Sequence, residues 1–152
     1  MSPKTARRAT SILSITGYSA AIFAILHYFT HRIAPADPSN PIYSVGPSEL
    51  DFEYVKYSLH EWPWRSLVGY TALVGLVAAH ASEGMAIIWN TWMRPAFGAL
   101  RQSRKTRLTG ALISGIPVAT GLFFMWGEPL MIFASHAERF RASFMKSLYF
   151  RF

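Results

Sequence analysis

His80 and Glu83 are the residues of this sequence best placed to do chemistry, because both lie inside one long apolar stretch. Residues at i and i+3 share one face of a helix, and Gly84, one position further on, leaves a gap in that face where a partner can approach closely. A histidine within a membrane span is costly to bury and therefore counts as a functional hypothesis. His80 is predicted either to bind a ligand or carry a proton, or to make a helix–helix hydrogen bond, with Glu83 as its possible partner.

A second histidine, His27, lies in a different apolar stretch and could share a haem with His80 only if the two had similar heights in the membrane. His27 is five residues from Arg32, whereas His80 is fifteen residues from Arg65 on the same side of the membrane. At about 1.5 Å per residue, the two heights differ by about 15 Å. His27 and His80 are therefore predicted to face different partners.

Other kinds of chemical site have little support in the residue types present. The sequence contains no cysteine, so thiolate metal sites and cysteine nucleophiles are excluded, and no metal beyond a haem iron is expected. Nothing matches a Ser-His-Asp set, a phosphate-binding glycine loop or a zinc-binding HExxH motif, so a conventional hydrolase or kinase is disfavoured and no catalytic residue is assigned. Three further histidines lie near predicted interfaces, where a hydrated imidazole is expected: His31, His60 and His136.

Composition places these residues in a small polytopic membrane protein. The 152 residues are 51% hydrophobic and only 15% charged, which is too apolar for an ordinary soluble protein. A helix needs about 20 apolar residues to cross the bilayer core. We predict an all-α fold in a single transmembrane domain, 1–152, with spans at about residues 10–33, 66–91 and 108–134. The first span is expected to be retained, because it is longer than the core of a signal peptide.

The segments between and after the spans are predicted to lie at the membrane surface. The connector 34–65 begins with a proline-rich loop and continues with Ser48–His60, whose apolar residues recur at helical spacing. This pattern is typical of a short amphipathic helix in the interface. The C-terminal tail 138–152 mixes basic and aromatic residues, as expected for a second amphipathic segment on the membrane surface.

The net charge of +7 indicates membrane topology and anionic lipids rather than nucleic acid, because the basic residues flank apolar spans instead of forming a groove. An odd number of spans places the N-terminal Lys4, Arg7 and Arg8 on the same face as the connector Arg94–Arg107, which has five basic residues and no acidic one. The connector Arg32–Arg65 has three basic and five acidic residues. The positive-inside bias places the first face in the compartment from which insertion occurs.

The first two spans resemble the first two helices of the membrane cytochrome b subunits of succinate dehydrogenases and fumarate reductases. The resemblance rests on Thr16-Gly17 followed by His27, and on Glu61-Trp62 followed by the stretch from His80 to Gly84. It implies that His27 and His80 are axial ligands of different haems, and that haem b is a possible cofactor.

A closer resemblance, over roughly Ser14–Phe133, is to the transmembrane module of the fungal mitochondrial Mcp-type adapter family. It rests on the pattern TGY…F…H…HR…P before the long connector and GY…H…G…W after it. This resemblance implies a non-enzymatic outer-membrane protein of mitochondrial lipid homeostasis, which recruits a lipid-transfer protein at contact sites.

Three functions stay open at this point. The first is an adapter or organising component of a mitochondrial membrane, outer rather than inner, with membrane lipids, a soluble lipid-transfer protein or another membrane subunit as partners in a homo- or hetero-oligomer. The second is a haem b- or quinone-binding anchor of a succinate dehydrogenase-like complex. The third is a small proton-coupled carrier built on His80 and Glu83.

Overall fold

The computed structural model describes residues 11–101 and 103–152, and the regular elements of these ranges are helical. This confirms the predicted all-α fold. The basic residues Lys4, Arg7 and Arg8 and the first residue of the predicted first span, Thr10, lie outside the described residues. The α-helices are α1 Ile12–Tyr28, α2 Phe52–Glu61, α3 Pro63–Ile88, α4 Arg94–Phe97, α5 Arg104–Gly127, α6 Ala134–Lys146 and α7 Leu148–Arg151.

Three helices are long and apolar enough to cross a membrane, as predicted: Ile12–Ile33, Pro63–Phe97 and Arg104–Gly127. The first consists of α1 and a π-helical turn, Phe29–Ile33, and the second of α3, a π-helical turn, Trp89–Met93, and α4. The central span is α3, which packs against both α1 and α5. Most side chains of the three spans are exposed in the isolated chain, as expected for helices that face lipid or a partner.

The third span begins and ends earlier than the predicted residues 108–134. It begins at Arg104, because the side chain of Ser103 accepts a hydrogen bond from the backbone N–H of Thr106 and caps the helix. It ends at Gly127, because Glu128 precedes Pro129 and adopts an extended conformation with ψ 142°. A proline disfavours the helical conformation in the residue before it, so the sequence Glu128-Pro129 stops the helix.

The connector and the C-terminal tail fold together into one extramembrane unit, which we name the cap and define as residues 34–62 and 128–152. Two spans separate the connector from the tail, so both segments lie on the same face of the membrane. Their contact buries a shared core: Ile42, Val45, Tyr54, Tyr57, Phe140, Phe144 and Phe150. The predicted amphipathic helix of the connector is present as α2, and the predicted amphipathic tail is present as α6 and α7. Their apolar faces, however, are covered by each other, whereas the sequence predicted that they rest on lipid.

Ion pairs join the acidic connector to the basic tail of the cap. Arg139 donates to both carboxylate oxygens of Glu49, and Lys146 donates to Asp37. These pairs explain the composition of the two segments: residues 32–65 have three basic and five acidic side chains, whereas residues 128–152 have four basic and two acidic ones. The formal charge of the cap face therefore cancels, while the connector Arg94–Arg107 on the opposite face keeps five positive charges.

Hydrogen bonds attach the cap to the ends of the spans. The hydroxyls of Thr30 and Ser147 are 2.6 Å apart, and Tyr149 donates to the backbone carbonyl of Arg65 at 2.9 Å. The ring of Tyr149 lies directly against Gly69, where an added Cβ would come within 3.0 Å of it. The cap therefore sits in a defined orientation on the spans.

The cap is expected to lose stability in acid. Its hydrogen bonds from Lys146 and Ser39 lower the pKa of Asp37 to about 2, and those from Arg139 and the Gly46 backbone lower the pKa of Glu49. A carboxyl group with a lowered folded-state pKa stabilises the fold above its unfolded pKa of about 4, and that contribution is lost as the pH falls toward the folded value. The denaturant midpoint of cap unfolding, followed by tryptophan fluorescence, should fall between about pH 5 and about pH 2.

The variant Glu49→Gln serves as the control for this pH dependence. It removes one of the titrating carboxylates, so its midpoint should depend less on pH than that of the parent chain. Because the pairs are partly exposed, salt should screen them and reduce the effect. A midpoint that rises on acidification would contradict the role assigned to these pairs.

Candidate functional site

His80 packs against Gly17 at a tight contact between α1 and α3. Its Nδ1 lies 3.0 Å from the backbone carbonyl of Leu13, so Nδ1 carries the proton and donates it to this carbonyl. The ring fills the space above Gly17: a Cβ added at Gly17 would lie 2.7 Å from Cε1 of His80. Of the alternatives predicted for His80, this geometry corresponds to the helix–helix hydrogen bond.

Glu83 and Gly84 have different neighbours from those predicted. Glu83 Oε2 forms a salt bridge with Nη1 of Arg107 at 3.1 Å, which joins α3 to α5. His80 and Glu83 therefore each have a partner on another helix, although they share a face of α3. A Cβ at Gly84 would meet Leu13 at 3.9 Å, an ordinary van der Waals contact. The tighter approach between α1 and α3 is at Gly17.

A polar cluster lies where the spans meet the cap, and it contains His27. The ring centroids of His27 and His31 are 4.3 Å apart. His31 Nε2 and the hydroxyl of Tyr70 are 3.1 Å apart, and the same hydroxyl is 3.1 Å from Oγ of Ser58 on α2. We name these four residues, His27, His31, Tyr70 and Ser58, the junction cluster. It connects the first two spans with the cap through one chain of hydrogen bonds.

The junction cluster borders a small pocket beneath the cap. The pocket has a volume of only about 30 Å³ and is mostly apolar, with His27, His31 and Tyr70 in its wall. The sequence predicted a hydrated interface for His31, whereas the structure covers it with aromatic residues of the cap, Tyr54 and Phe144. His60 and His136 do lie outside the spans, where His60 bonds to the carbonyl of Glu128 at 2.8 Å.

The described histidines do not fit a haem held between two axial ligands of this chain. The rings of His27 and His31 touch each other, so a flat macrocycle has no room between them. The ring of His80 packs against Gly17, which is ten residues before His27 on the same helix. This separation is about 15 Å along the helix axis. His27 and His80 thus lie at different heights, as the sequence predicted.

Sequence reasoning did not identify Tyr70, Ser58 or Arg107 as members of polar contacts. Tyr70 carries a hydroxyl within an apolar span, which could have marked it, because a buried hydroxyl requires a hydrogen-bond partner. Arg107 is one of several basic residues of its connector and has no local feature that distinguishes it. Its pairing with Glu83 depends on the packing of α3 against α5.

The variant Tyr70→Phe should destabilise the junction by about 1 to 2 kcal/mol, because it leaves the half-buried ring nitrogen of His31 without its partner. Thermal unfolding in detergent micelles measures this loss. Tyr28→Phe is the matched control, since Tyr28 is exposed on the lipid side of α1. Equal melting temperatures for the two variants would show that the hydrogen bond contributes little.

The comparison with protein families gives one match. Residues 22–138 match the family described as MDM10-complementing protein 1, transmembrane domain. This range includes α2, α3 and α5 completely, together with much of the first span and the start of α6. Searches of the curated proteins and of the solved structures found no match. The match covers most of the 152 residues and the predicted resemblance is confirmed, so this chain is a mitochondrial membrane protein that belongs to the MDM10-complementing protein 1 transmembrane domain family.

Proposed function

We propose that this chain is a non-enzymatic adapter of mitochondrial lipid homeostasis, which holds a soluble lipid-transfer protein at the outer membrane. The cap is the observation that carries the proposal. It is a folded unit on one face of the membrane, with its own aromatic core and with ion pairs between its two segments. Such a unit offers a partner a surface of fixed shape, which reduces the entropy lost on binding.

The polar residues of the spans support a structural role for the transmembrane part. His80 bonds to the carbonyl of Leu13, and Glu83 pairs with Arg107. Each contact joins two spans and is local to that pair of helices. The spans thereby form a base that positions the cap.

The proline-rich loop of the connector is the part of the cap that we assign to the partner. The loop is held against the rest of the cap by three buried residues, Pro35, Ile42 and Val45. Tyr43 between them is 59% exposed, with a positive φ of 51°. An exposed tyrosine on a fixed loop is typical of an interface anchor, because it adds contact area at a low cost in side-chain entropy.

Affinity purification of the membrane-embedded chain from mitochondria tests this proposal. The native chain should recover a soluble lipid-transfer protein, and Tyr43→Asp should reduce this recovery at least about tenfold, which corresponds to about 1.4 kcal/mol. Leu148→Asp is the matched control, because Leu148 is also exposed on the cap but lies in the tail. Recovery of respiratory-complex subunits alone would overturn the adapter proposal.

A further inference from the structure

The groove between α3 and α5 has the features of a lipid-binding site. It has a volume of about 580 Å³ and opens on the side of the spans. Its lining is mainly apolar and comes from the second half of α3 and the first half of α5. The residues used in the argument below are Ala81, Arg107, Gly110 and Ser114. Because both helices are membrane spans, the medium that meets this groove is the acyl chains of lipid.

Arg107 lies at the end of this groove and has a polar atom without a partner. Its Nη1 pairs with Glu83 at 3.1 Å, whereas its Nε is buried and makes no hydrogen bond within the described residues. The Arg107 side chain as a whole is 29% exposed, so its guanidinium group can contact an acceptor from outside the chain. A phosphate oxygen is such an acceptor, and the planar guanidinium group is well suited to phosphate.

The charge around Arg107 selects for an anion. The connector Arg94–Arg107 has five basic residues and no acidic one, so the single negative charge of Glu83 leaves an excess of positive charge at this end of the groove. Basic residues near a membrane surface attract anionic lipid headgroups. The cap face, by contrast, is neutral overall.

We propose that this groove binds one anionic glycerophospholipid, with its phosphate on the guanidinium group of Arg107 and an acyl chain between α3 and α5. The site lies on the face opposite the cap and involves none of the cap residues that we assign to the partner protein. It therefore stands independently of the proposed function.

Native mass spectrometry tests the proposal. The chain is reconstituted in vesicles of equal parts phosphatidylcholine and phosphatidylinositol, extracted in mild detergent and weighed with its bound lipid. One phosphatidylinositol per chain should be retained, enriched about tenfold over phosphatidylcholine. Ala81→Phe fills the groove and should abolish retention, and Ile113→Phe, on the lipid-exposed surface of α5, should leave it unchanged.

A second pair of variants separates the charge from the shape of the site. Arg107→Lys keeps the positive charge opposite Glu83 but lacks the planar guanidinium group, so the preference for phosphatidylinositol should fall about tenfold while total lipid retention persists. Should Ala81→Phe fail to fold, Ser114→Phe fills the groove from α5. Equal retention of the two lipids by the parent chain, equal loss in Ile113→Phe, or a dimer in place of the lipid adduct would overturn the proposal.

Discussion

Replacement of Phe144 by alanine is expected to destabilise the cap by about 3 to 5 kcal/mol, the cost of removing a buried phenylalanine side chain. Phe144 is fully buried. Its ring stacks on that of Tyr54 at a centroid distance of 4.4 Å and meets the ring of Phe150 edge-on at 4.9 Å. The cavity left by alanine would separate the connector from the tail, so the two halves of the cap would lose their shared core.

Denaturant titration in detergent micelles measures this effect. Trp62 lies 5.8 Å from Phe144, ring centroid to ring centroid, so its fluorescence reports on cap unfolding, while far-ultraviolet circular dichroism reports on the helices. The fluorescence midpoint of Phe144→Ala should fall well below that of the parent chain. Phe152→Ala is the control, because Phe152 is 85% exposed. A similar midpoint for the two variants would show that the tail does not complete the core.

Gly17→Ala is expected to destabilise the packing of α1 on α3 by about 1 to 3 kcal/mol, the usual cost of extra volume in a packed contact. The added Cβ would lie 2.7 Å from Cε1 and 2.9 Å from Nδ1 of His80. The imidazole must then move, and this movement displaces it from its hydrogen-bonded position against Leu13. One methyl group therefore disturbs both the contact and the hydrogen bond.

A double-mutant cycle distinguishes this cause from a general effect of alanine in the helix. In the background of His80→Ala the space above Gly17 is open, so Gly17→Ala should then cost much less, and the coupling energy should be about 1 to 3 kcal/mol. Gly75→Ala is the control, because a Cβ at Gly75 meets no atom within 4 Å. Additive costs in thermal unfolding would contradict the close contact between Gly17 and His80.

The spans and the heights of the histidines could be predicted from the sequence because they depend on local features. Long apolar runs predict membrane helices, and a constant rise per residue converts a position in the run into a height. The difference in height between His27 and His80 follows from this rule alone. The amphipathic patterns of α2 and α6 were recognisable for the same reason.

The partners of these residues could not be predicted, because each one lies far away in the chain. Glu83 has a local candidate in His80, yet it pairs with Arg107, which reaches it only because α5 packs on α3. The tail presents a similar problem. An amphipathic helix with basic residues can bind either a lipid surface or an acidic protein surface. In this protein the basic residues of the tail form ion pairs with Glu49 and Asp37 of the connector.

The two-part construction of the cap has a consequence for biogenesis. During insertion, the connector emerges before the second span, whereas α6 follows the third span. The connector's part of the shared core, which includes Tyr54 and Ile42, is therefore exposed until α6 packs on it. A chain whose third span has not inserted therefore exposes the apolar aromatic surface of the connector, and a fully inserted chain buries it. Quality-control factors that bind exposed apolar segments could distinguish the two, so this fold reports on the completion of its own insertion.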